Sequence, residues 1–239
     1  MASPGRGPID GYYAPQKLKL LRDFDKSFGK YGKKVLTSHY GRELAEEILR
    51  ESRKEYETLI PKIPDVGGSK NIFETNLIQS AWLLALYRTM KGHGKTAEET
   101  GRLGYEMVEA QLTAIPRWML PVLRIMLSKK YGITNMKKYA SESQRRLYPE
   151  DWVWSYVEGD GKEFDSGTDM KECAIVKFLH AQGADELARY MCRVDFATSI
   201  TFGMGLIRTM TLAEGDEKCD FRYKRGRDTK PGWPEPISP

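Results

Sequence analysis

The stretch 72–90 constrains the fold more than any other, because Ala81, Trp82, Leu83, Leu84, Ala85 and Leu86 follow one another at its middle with no polar residue between them. A helix made this way is apolar on almost every side and must be enclosed by other elements. Nowhere does an apolar run reach the ~18 residues of a membrane span. With 239 residues, 40% of them hydrophobic, the chain has material for the enclosing shell. The expectation is a single unit built around a central buried helix.

Amphipathic helices surround that stretch in sequence. Leu18, Leu21, Phe24 and Phe28 recur at three- and four-residue steps before Gly29 and Gly32 interrupt, and Leu44, Ile48 and Tyr56 mark a second helix that ends before Pro61. The loop 60–71, with two prolines and two glycines, leads to Asn71, which either caps the following helix with Glu74 or offers an amide to a substrate. His93 suits the negative end of a helix, and Thr96 with Glu99 forms a capping box opening the next one. After Pro149 the texture becomes strand-like. Trp152 to Val157 and a return strand over 163–168 predict a hairpin, two helices follow over 173–181 and 184–198, and 206–213 and 218–224 predict two more strands. The fold class expected is therefore α+β, an N-terminal helical bundle packed with a small antiparallel sheet in the order β-β-α-α-β-β. Its bounds are a flexible lead over 1–11, one α+β domain over 12–225 (helical 12–148, sheet-containing 149–225) and a disordered proline-rich tail over 226–239.

The net charge of +5 is unevenly spread. Over 115–147, Arg117, Arg124, Lys129, Lys130, Lys137, Lys138, Arg145 and Arg146 face a single acid, Glu142. This segment meets an anionic partner (a phosphate-bearing ligand, RNA or a membrane surface), or it is a solvated face balanced by the acidic region 98–109. Arg117 and Arg124, seven apart, share one face of a helix whose other face is apolar; such an element lines a pocket, lies on lipid or packs. A small-molecule substrate is the partner expected, rather than nucleic acid.

Three cysteines, Cys173, Cys192 and Cys219, lie in the last third with no C-x-x-C pairing, which gives neither a disulfide framework nor a zinc module. Reduced thiols in a cytoplasmic protein are expected, with no metal and, in the absence of a glycine-rich phosphate fingerprint, no cofactor. Asp195 stands three residues after Cys192, so a helix turns both the same way. Strand alternation puts Cys219 and Phe221 on one face and Asp220 and Arg222 on the other.

Glu172-Cys173, the run 183–187 (GADEL), 192–196 (CRVDF), 208–212 (RTMTL) and 215–223 (GDEKCDFRY) together resemble the L-2-amino-thiazoline-4-carboxylic acid hydrolase family. Ile63-Pro64, Gly67-Gly68 and Asn71 are similar to it too, so the resemblance covers about 40–225. It implies hydrolytic opening of a cyclic isothiourea to a carbamoyl-cysteine. The same scaffold could cyclise, isomerise or condense a precursor, or bind a small molecule without chemistry. Ring opening calls for a thiolate or activated water, a carboxylate near the amidinium and a cation for the substrate carboxylate. The expected nucleophile is Cys173 or Cys219, with Cys192 paired to Asp195 as base or amidinium partner, and Arg208 or Arg222 as anion clamp.

Overall fold

The computed structural model describes residues 11–230. The expected lead, apart from Gly11, and the tail from 231 onward fall outside them. The helical part holds α1 (Lys17–Phe24), α2 (Lys30–Tyr40), α3 (Arg42–Leu59), α4 (Glu74–Gly92), α5 (Ala97–Thr113), α6 (Leu120–Lys130) and α7 (Ile133–Ser143). The remainder is β1 (Val153–Glu158), β2 (Ser166–Glu172), α8 (Ala174–Ala181), α9 (Asp185–Met191), α10 (Val194–Phe202), β3 (Leu206–Ile207) and β4 (Cys219–Tyr223).

Helix α4 is enclosed as its composition demands. Leu77 and every residue from Ser80 to Tyr87 are buried, and α3, α5, α8 and α9 pack around them. Helix α3 turns Ala45, Ile48, Ser52, Tyr56 and Leu59 inward at helical spacing. There Phe24 stacks on Tyr56 with ring centroids 5.3 Å apart and meets Trp82 edge-on at 6.1 Å. The interruption expected at Gly29 is a π-helical turn, Asp25–Gly29, after which the chain resumes as α2. Thr96 and Glu99 form the capping box: the Thr96 N–H donates to Glu99 Oε2 at 2.9 Å and the Glu99 N–H to Thr96 Oγ1 at 3.1 Å.

Two glycines three apart set how deeply α5 sinks into this shell. A Cβ on Gly101 would lie 2.4 Å from Tyr190 Cβ, and one on Gly104 would lie 2.5 Å from Leu83 Cδ1. Their bare backbone lets α5 seat directly on α9 and α4, and α9 leads to one of the thiols.

The sheet is antiparallel in the order β1-β2-β4-β3, so the α+β reading holds. The first hairpin forms, with its return strand at Ser166–Glu172 rather than 163–168. The second pair departs from expectation, since only Leu206–Ile207 of 206–213 are strand. Beyond them the Asp220 carboxylate takes the N–H groups of Thr209 and Met210, and Asp216 takes that of Thr211, so side chains replace the ladder. On the opposite edge Ser143 Oγ accepts the N–H of Trp154, and Gln144 Nε2 donates to the Trp154 carbonyl. The single helix expected over 184–198 is broken at Cys192–Arg193 into α9 and α10, where the Arg193 N–H bonds the carbonyl of Tyr190, three residues back.

The basic segment forms the 3-10 turn Arg117–Met119, α6 and α7. Among the described residues its ion pairs are made outside 98–109: Lys137 pairs with Glu158, Lys138 with Glu142 and Arg146 with Glu172. Among the described residues no helix is long and apolar enough to cross a membrane.

Candidate active site

Strand β4 supplies one wall. Cys219, Phe221 and Tyr223 alternate onto one face, over Met170, Thr168 and Ser166 of β2. Strand β2 passes straight into α8 through Cys173, whose extended backbone (φ −126°, ψ 119°) makes it the residue before the first helical turn. Its thiol faces the N–H groups of Ile175 and Val176, which favour a thiolate, but burial prevails and pushes its pKa up to about 11. Cys192 sits at the break between α9 and α10, with the Thr211 hydroxyl 4.0 Å from its sulfur. Cys219 Sγ accepts the N–H of Leu212 at 3.3 Å. Burial also raises the pKa of Cys192 and Cys219; a neighbouring thiol adds to the effect at Cys173 and Cys192, and Asp195 adds to it at Cys219. All three are free, and burial favours the neutral thiol in each.

Next to them lies an ion pair of unequal exposure. Arg208 Nη1 donates to Asp195 Oδ2 at 2.7 Å, and its Nη2 donates to the carbonyl of Cys192 at 2.8 Å. That carbonyl is at the helix break, where the α-helical ladder is interrupted and the oxygen can turn toward the guanidinium. Phe196 and Phe221 flank the cation, with ring centroids at 5.0 and 5.1 Å. The Arg208 side chain is 4% exposed and that of Asp195 is 40% exposed, so the carboxylate is the half of the pair that meets solvent. Although part of its surface is open, the protein packed closely around Asp195 strips much of its water, and this desolvation raises its pKa against the pull of Arg208. Tyr223 is close by: burial and then Asp195 hold its hydroxyl protonated well above the usual tyrosine range.

The fold therefore assembles Cys173, Cys192, Cys219, Asp195 and Arg208 from β2, the α9–α10 break, β4 and the segment after β3. It does not bring Arg222 or Asn71 to them. Arg222 is on the other face of β4, where Nη2 bonds Asp169 at 2.7 Å and the guanidinium lies 5.3 Å from the Phe164 ring. Asn71 ties its loop to the segment before β1, donating to the Val66 carbonyl and to Asp151, both at 2.7 Å, and accepting the N–H of Phe73. Neither does it cap α4, whose cap position is Phe73, and Glu74 accepts the Tyr13 hydroxyl instead of returning to Asn71. Asp220 faces away from Cys219, as alternation requires. His180 is exposed and pairs with Asp185 at 2.7 Å. Two residues of the cluster were not singled out from sequence. Tyr223 could have been found by carrying the Cys219, Phe221 alternation one step further; Thr211 had no local signal.

Chemically, the cluster offers a solvent-facing carboxylate of raised basicity, a guanidinium that fixes it, and neutral thiols. Among the described residues no group of three His, Cys, Asp or Glu is arranged to hold a metal ion. Searches of curated proteins and of solved structures each return no significant match. One sequence family does match, over residues 75–223, a span that starts within α4 and ends on Tyr223 and so takes in every member of the cluster. The chain belongs to the L-2-amino-thiazoline-4-carboxylic acid hydrolase family.

Proposed function

We propose that the protein is a cytoplasmic enzyme that opens a small amino-acid-derived cyclic amidine at its C–N bond, as in 2-aminothiazoline-carboxylate hydrolysis. The observation that carries this reading is Asp195, an open carboxylate pinned by the enclosed Arg208 beside three neutral thiols. In this scheme Asp195 pairs with the amidinium and takes a proton from an attacking water. The hydroxyl adds to the carbon between nitrogen and sulfur, the C–N bond breaks, and the proton passes to the departing ring nitrogen, leaving a carbamoyl-cysteine. Arg208 acts as a positioning residue, since its own surface is too enclosed to meet substrate. Cys192 and Cys219 line the site as protonated thiols able to donate weakly to the substrate.

A second reading, with Cys173 as nucleophile, is favoured by the two α8 N–H groups that face its sulfur. The two differ in what Asp195→Asn and Cys173→Ser do. Incubation with 2-aminothiazoline-4-carboxylate, followed by mass-spectrometric detection of the carbamoyl-cysteine, should show turnover by the parent protein and by Cys173→Ser, and none by a folded Asp195→Asn. Loss in Cys173→Ser with retention in Asp195→Asn selects the thiol. Binding of the cyclic amidine without any turnover by the parent protein removes the hydrolase reading in favour of a binding module.

A further inference from the structure

Helix α6 is apolar on two opposite faces. Leu120, Leu123 and Leu127 are half-buried against the protein, while Val122, Ile125 and Met126 point outward with exposures of 55, 58 and 60%. Trp118, one turn earlier, extends the outer face and is 76% exposed. A helix at a water-facing surface ordinarily carries polar residues there. Here the polar groups at the two ends of the apolar strip are Arg117, Lys129 and Lys130, and no acid occurs anywhere from 115 to 141.

We propose that this face docks on an anionic membrane surface, with Trp118, Val122, Ile125 and Met126 entering the headgroup boundary and the cations meeting lipid phosphates. The pattern is that of an interfacial helix, which combines an apolar strip with flanking Lys and Arg. Charge decides against a second copy of the chain. A two-fold interface sets the same patch against itself, and this patch would bring only cations together. It also decides against RNA, whose phosphates would leave the apolar strip facing water. The inference is independent of the reaction proposed above. It places that site beside the bilayer, because Arg124 of α6 reaches the Thr201 carbonyl of α10, the helix that carries Asp195.

The test is flotation of the full chain with phosphatidylcholine vesicles and with vesicles of equal parts phosphatidylcholine and phosphatidylserine, at physiological ionic strength. Recovery with the anionic vesicles alone is expected, abolished by Ile125→Asp with Met126→Asp. Neutralising Lys129 and Lys130 to Gln should lower partitioning by about 30-fold, from ~1 kcal/mol per cation near the surface. Circular dichroism of each variant confirms that a loss is not unfolding. Absence of flotation by the folded parent protein overturns the proposal. So does anionic binding that survives the Asp pair, which would place the contact elsewhere. Concentration-dependent dimerisation broken by Ile125→Asp, without flotation, would assign the face to a second copy instead.

Discussion

Replacing Arg208 by Met keeps most of the side-chain volume and removes the charge, and its consequences follow from the geometry. The substitution ends the 2.7 Å contact to Asp195 and the 2.8 Å contact to the Cys192 carbonyl. Breaking a fully buried pair costs ~3–5 kcal/mol. Asp195 keeps 40% of its side-chain surface, so water compensates part of that and the share from the pair falls to about 1–2 kcal/mol. Cation–π contact with two rings adds ~1 kcal/mol, partly offset by the apolar Met, giving a net loss of about 2 kcal/mol. For a chain this size that lowers Tm by roughly 4–8 °C.

The charge has a signature that packing lacks. The folded Asp195 pKa is raised, so its contribution to stability is present below the ordinary aspartate range and is lost as pH rises through the raised value. Removing Arg208 takes away the group that pulls this pKa down, and the folded value climbs further. Urea unfolding should therefore show a larger deficit for Arg208→Met at neutral pH than at a pH of about 3, below the ordinary aspartate range. In a double-mutant cycle with Asp195→Asn about 1 kcal/mol of coupling should appear at neutral pH. An equal deficit at both pH values, with no coupling, would mean that Arg208 acts only by filling space between Phe196 and Phe221.

Three further outcomes are expected. Cys173, its pKa pushed by burial up to about 11 from an ordinary 9.0, should alkylate at neutral pH about 100-fold more slowly than a free thiol from ionisation alone, as mass spectrometry of the iodoacetamide-treated native protein would show; labelling at the free-thiol rate contradicts its burial. Gly101→Ala should destabilise by about 1–2 kcal/mol in urea, because overpacking against the anchored Tyr190 Cβ outweighs the ~1 kcal/mol gain in helix propensity; a stabilised variant refutes the close approach of α5 to α9. Thr96→Ala removes one half of the capping box and should cost about 1 kcal/mol in the same assay, whereas Thr113→Ala, in the last turn of α5, should cost well under that.

The sequence revealed what depends on neighbours along the chain. The 81–86 run showed an enclosed helix because no polar residue interrupts it, Thr96 and Glu99 showed a helix start because capping is local, and the Cys219 and Asp220 alternation separated two faces correctly. It concealed what depends on distant side chains. Thr209 and Thr211 favour a strand by their own preference, yet Asp220 and Asp216 take their backbone N–H groups, and only the Asp220 N–H to Met210 carbonyl bond remains of a ladder there. Cys192 and Asp195, three apart, were expected to share one continuous helix. The structure breaks the helix between them, and the break turns the Cys192 carbonyl toward an arginine sixteen residues on. Arg208 and Arg222 looked equivalent as cations. The sheet gives one to Asp195 and the other to Asp169, on opposite faces.

The side chains that end the sheet also limit how copies of this protein can associate. At one margin Asp220 occupies the amides of Thr209 and Met210, and at the other Ser143 and Gln144 occupy the amide and carbonyl of Trp154. An incoming strand meets occupied groups at Trp154 on one margin and at Thr209 and Met210 on the other, so strand addition is opposed at those positions without a long charged edge. A carboxylate, a hydroxyl and an amide thereby cap individual edge positions of a sheet that stays open.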